Sequence, residues 1–89
     1  MDCLFHPSRF TSITNGLEAK GVEISKANEI AECCTADNTG DPNVARLYSR
    51  VSDRDLFDLM FFFEEEFGAR RYMAIEIAIF IVTLHQTAE

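Results

Sequence analysis

Residues 72–84 read YMAIEIAIFIVTL, and the fold turns on whether this run is a strand or a helix. Ile75, Ile77, Ile79 and Ile81 alternate with the period of a strand, and β-branched side chains favour that state. Length argues the other way. From Ala69 to about Thr87 no turn residue interrupts the chain, and so long a span exceeds an ordinary strand. The run is therefore read as a buried helix, and the chain as all-α, a compact bundle of about five helices.

The stretch before it, residues 52–68, reads SDRDLFDLMFFFEEEFG. It holds five of the eight phenylalanines and six carboxylates against one arginine. Ser52, with Asp55 three residues on, has the form of a capping box for a helix over 53–66, and Gly68 ends it. This Phe-rich fourth helix and the Ile-rich fifth are expected to pack as an antiparallel core pair.

Further towards the N-terminus the punctuation gives three more helices. Pro7 opens the first, over residues 7 to about 20, with Phe10, Ile13 and Leu17 on one face and Gly16 weakening it. Ser25 is the expected cap of the second, over 26–35, whose stripe is Ala27, Ile30, Ala31 and Cys34. After a polar loop at 37–40, Asp41-Pro42 starts the third, with Val44, Leu47, Tyr48 and Val51 inward. Residues 1–89 thus form a single helical domain.

Taking about 100° per residue from Asp55, the residues Leu59, Phe63, Leu56, Phe67 and Met60 fill an arc from roughly 40° to 140°, an ordinary core face. Phe57 and Phe61 form a second apolar patch near 200° and 240°, which neighbouring helices of a small bundle can cover. Phe62 falls near 340°, among Asp55, Asp58, Glu65 and Glu66. An aromatic ring set among carboxylates is a common form of interface anchor, and Phe62 is expected to be one. Those four acids, with Asp53 and Glu64 nearby, make one broad acidic face. Its simplest role is solvation; competition for a basic surface is the functional alternative.

Composition narrows the classes. A chain of 89 residues, 47% apolar and 26% charged, supports one small core. Its net charge of −7 argues against direct nucleic-acid binding, which needs clustered Lys and Arg, and favours attraction to basic surfaces, including the grooves of proteins that hold nucleic acid. Three cysteines do not close a disulfide framework, and the adjacent Cys33 and Cys34 are poorly placed to bridge each other. The first ten residues lack a signal-peptide pattern, and residues 72–84 are too short to span a bilayer. A cytoplasmic protein without membrane contact is expected.

Other candidate sites are weaker. Arg46, Arg50 and Arg54 recur every four residues and could meet the acidic face of a second copy, while Arg54 has Asp58 four residues on as a local partner. Cys3 and His6, with Cys33 and Cys34, lack the spacing of a structural zinc site, and no arrangement calls for a metal, cofactor or catalytic residue. Residues 17–34 have a helix-turn-helix outline, but Glu29 and Glu32 stand where a DNA reader needs donors. Glu76, sharing a strip with Tyr72 and Thr83, is expected to reach water. Ala74 and Ala78 leave a shallow groove that, with Ile77 and Ile81, suits a homodimer interface.

The function this predicts is a small, acidic, non-catalytic protein-binding module, an inhibitor or adaptor that occludes a larger partner. Phe57, Phe61 and Phe62 would be its anchors, and Asp55, Asp58, Glu65 and Glu66 its steering charges. In size, charge and helical character the chain resembles phage-encoded anti-defence inhibitors such as anti-CRISPR proteins, an analogy of type that no shared motif carries. The alternative is a structural or regulatory homodimer whose apolar helices serve only self-association.

Overall fold

The isoleucines of residues 72–84 alternate because a helix divides them, not because the segment is a strand. In a computed structural model describing residues 4–36 and 40–87, Arg71–Thr87 is one continuous helix. On a helix, residues four apart share a face. Ile77 and Ile81 accordingly enter the core with Ala74 and Ala78, while Ile75 and Ile79 point outward. Spacing by two thus resolves into two pairs on opposite faces.

Four further α-helices precede it among the described residues, with no strand. After a 3₁₀ turn at Pro7–Arg9 come α1 (Phe10–Ala19), α2 (Ile24–Thr35), α3 (Pro42–Ser52), α4 (Leu56–Phe67) and α5 (Arg71–Thr87). The expected loop at 37–40 lies, except for Gly40, outside the described residues. The antiparallel pair α4–α5 is the most extensive helix contact, followed by α1 against α2. One apolar core joins them, drawing Phe5 from the N-terminal segment, Ile13 and Leu17 from α1, and Ile30 and Cys34 from α2. Leu47 and Val51 of α3 complete it with the inward faces of α4 and α5.

The helix ends are where sequence and structure part. Asp41 caps α3 as expected, accepting from the Asn43 N–H at 3.0 Å. Ser52, expected to cap α4, is instead the last residue of α3. Asp55 takes the role, its carboxylate accepting from the N–H groups of Phe57 and Asp58, each at 3.1 Å. The reason is local: Arg54 at φ 58° turns the chain before α4 begins. Ser25 is likewise no cap, because α2 starts at Ile24 and the Ser25 hydroxyl donates to Glu23 Oε1 at 2.7 Å. At the far end of α4, Gly68 takes the left-handed conformation (φ 66°) and the Ala69 N–H donates to the Phe63 carbonyl at 3.2 Å.

Gly16 has a reason to stand inside α1. A Cβ there would lie 2.4 Å from Cζ of Phe80, whose ring rests against the helix. The glycine lets α5 approach α1.

Candidate interaction surface

Helix α4 lies between α3 and α5, and that position rotates its buried arc away from the one the sequence suggests. Leu59, Met60, Phe62 and Phe63 are buried; Leu56 is exposed. Phe62, expected as an intermolecular anchor, is 0% exposed, which corrects that assignment. Its ring meets Phe63 and Phe67 edge-on, with centroids 5.3 and 5.8 Å away. The Arg50 guanidinium lies 5.5 Å from its centroid.

Two arginines of α3 reach across to the acidic helix beside Phe62. Arg46 of α3 pairs with Glu66 at 2.9 Å and also reaches Asn43. Arg50 Nη1 donates to the Asp58 carbonyl at 3.0 Å. Arg46 and Arg50 of the arginine stripe therefore meet the acidic helix intramolecularly, Arg50 lying over Phe62, rather than waiting for a second copy. Among the described residues Arg54 forms no ion pair with Asp58. Its backbone sets the turn instead.

The carboxylates consequently do not form one free face. Asp55 is spent as a cap and Glu66 on Arg46, while Glu64 accepts from Arg71 Nε at 3.1 Å. Asp58 and Glu65 remain exposed, with no ion partner within 4 Å among the described residues. Glu76 does reach the surface, 3.5 Å from Lys20 Nζ.

What the bundle leaves outside is apolar. Phe57 is 69% exposed and Phe61 39%, so the bundle does not fully cover the pair. Across the α4–α5 seam lie Tyr72 (65% exposed), Ile75 and Ile79. The two strips meet in a groove of ≈ 170 Å³ lined by Leu56, Phe57, Met60, Ile75, Ala78 and Ile79. At one end the Arg71 guanidinium lies 5.7 Å from the Phe61 centroid, held by Glu64.

This geometry also corrects the expected dimer interface. Ala74, Ala78, Ile77 and Ile81 are all buried within the chain, Ala78 at the floor of the α4–α5 groove. The exposed strip of α5 is Tyr72, Ile75 and Ile79; Tyr72 is on the strip expected to reach water, but none of the three is among the expected interface residues. Their spacing of three and four residues is a helical signal, legible once the isoleucines are divided between two faces.

The remaining candidates are the cysteines and histidines. Burial, with Asp41 adding to it, pushes the Cys33 thiol up to about 11. The Cys34 thiol is raised too, by complete burial first and by Cys33 second. Cys33 borders a cavity of ≈ 290 Å³ with Glu29, Glu32 and Asp41, surroundings that hold a thiol protonated rather than activate it. Cys3 lies outside the described residues. His6 Nδ1 is 2.9 Å from the Ser8 hydroxyl, and His85 stacks edge-on with Phe5. Among the described residues no three His, Cys, Asp or Glu side chains are grouped to hold a metal ion, and no helix is long and apolar enough to cross a membrane.

Comparison with protein-family models, with curated proteins and with solved structures matches this chain to none of them.

Proposed function

We propose that this chain is a non-catalytic protein-binding module that occludes a larger, basic partner of the kind that holds nucleic acid. The observation that carries the reading is the outer face of α4–α5. Phe57, Phe61, Tyr72, Ile75 and Ile79 leave apolar side chains in water although the core behind them is closed. Such a cluster is a binding surface more often than an accident of packing. Phe57 and Tyr72 supply the large aromatic area typical of interface anchors. Asp58 and Glu65, on the edge of the same helix, supply unpaired negative charge that steers a basic partner and penalises an acidic one.

Charge also separates this reading from self-association. A two-fold axis in the plane of the face sets the Asp58–Glu65 edge of one copy against the same edge or the Glu76 edge of the other. Carboxylates meet either way, in a chain of net charge −7, where the described cations on this face, Lys20 and Arg71, are already paired with Glu76 and Glu64.

The test compares affinity capture by the wild type, by Phe57→Ser/Ile79→Ser and by Asp58→Lys/Glu65→Lys, with light scattering on each sample. The captured protein is then purified and its affinity remeasured by calorimetry. A basic partner weakened about tenfold or more by both pairs of changes supports the reading, a loss of at least about 1.4 kcal/mol. A partner indifferent to both pairs, or a stable wild-type dimer that Phe57→Ser/Ile79→Ser converts to monomer, overturns it.

A further inference from the structure

We infer that the α4–α5 groove receives a basic amphipathic helix of the partner, seating one large apolar side chain between Phe57, Met60, Ile75 and Ile79. The inference rests on the reading above and specifies which structure the partner presents. Shape comes first. The groove of ≈ 170 Å³ is apolar and bounded by two helices. It falls below the roughly 300 Å³ of a small-molecule pocket, and suits a single side chain better than a cofactor.

Length points the same way. Phe57 and Phe61 are one helical turn apart, about 6 Å, and Tyr72 to Ile79 cover two turns, about 10.5 Å. A helix of two to three turns with apolar residues at i, i+3 or i+4, and i+7 matches that footprint. Its axis would follow the furrow between two antiparallel helices, extending the packing that α3 and α5 already make around α4. An extended peptide has no comparable seat. Both walls are α-helices whose backbone groups are paired internally, and the described residues contain no sheet edge to which a strand could add.

Charge fixes the sign. Asp58 and Glu65 are seven residues apart on the exposed flank of α4, bordering the Phe57–Phe61 strip on the side away from the groove, so lysines or arginines two turns apart on an incoming helix that covers this strip meet them in register. Opposite them, Glu76 is already paired with Lys20, and at one end Glu64 is paired with Arg71. Basic residues of the incoming helix therefore belong on the Asp58–Glu65 side.

The probe is a labelled synthetic peptide of about 18 residues, five helical turns, with leucine on one face and lysine on the other. Two controls have the same length and charge: one with leucines redistributed to a period of two, and one with two central prolines. Binding is followed by anisotropy, and the contact surface by amide chemical shifts of the protein. Saturable binding of the patterned peptide is expected, with shifts concentrated at Phe57, Phe61, Ile75 and Ile79. Affinity should fall about tenfold with Ile79→Ser, with Asp58→Lys/Glu65→Lys, and with the proline peptide. Both protein variants change exposed side chains, and thermal unfolding confirms that they fold.

Equal binding of all three peptides, shifts elsewhere on the chain, or indifference to Ile79→Ser overturns the inference. Should the peptide fail while a captured partner still loses affinity in Phe57→Ser/Ile79→Ser, the helix falls and the binding surface stands. Should the partner also be indifferent to those changes, the proposed function falls with it.

Discussion

Gly16 shows how a single residue carries a tertiary requirement. Taken as sequence, a glycine in the middle of α1 is a weakness, and replacing it with alanine would ordinarily gain about 0.5–1 kcal/mol of helix stability. In the fold, the new Cβ would meet the Phe80 ring at 2.4 Å, and overpacking of this kind costs about 1–3 kcal/mol. We expect Gly16→Ala to lower the unfolding free energy by a net ~1 kcal/mol, read as a lower urea midpoint, the clash exceeding the propensity gain. In a Phe80→Ala background the same change should raise the midpoint, because only the propensity term remains. Equal effects in both backgrounds would show that the ring moves aside at no cost. Nothing in the sequence links positions 16 and 80, so this pairing was not legible beforehand.

Elements were largely legible, because apolar period and turn residues act locally. Pro42 after Asp41, and Gly68 after a Phe-rich run, mark helix ends that the structure reproduces. The start of α4 was misplaced because Ser52 and Asp55 are both good acceptors, and only the backbone turn at Arg54 selects between them. Asp55→Ala should therefore cost about 1 kcal/mol, as loss of an N-cap does, whereas Ser52→Ala should stay within about 0.5 kcal/mol. Thermal or urea unfolding of the two variants side by side checks this. A larger loss at Ser52 would restore the capping box. The fifth helix carries a related lesson. Its isoleucines fit a period of two by count, yet length was the stronger cue, since a strand so long is rare while a helix of that length is ordinary.

For the whole molecule, the question is which of the surplus apolar residues the bundle absorbs. A domain of this size has a total stability of roughly 4–13 kcal/mol, so one core aromatic is a large share of it. Phe62→Ala should cost about 3–5 kcal/mol and leave the protein partly or wholly unfolded at 37 °C. Phe57→Ser, on the open face, should shift stability by no more than about 1 kcal/mol. Circular dichroism melts of the two distinguish the core residue from the surface residue; similar melting points would place both on the surface. The sequence alone determined that the chain is acidic, all-helical and rich in apolar surface for its length, because charge, period and composition are properties of local chain. Only the tertiary structure decided which way each helix turns. A bundle sets the rotation of α4 by what lies on both sides of it, so α3 drew Phe62 inward beneath Arg50. The packing of α5 on the other side consumed Ala74, Ile77, Ala78 and Ile81 and left Phe57, Phe61, Tyr72, Ile75 and Ile79 outside. That choice depends on contacts between residues far apart in the chain, which no local pattern records.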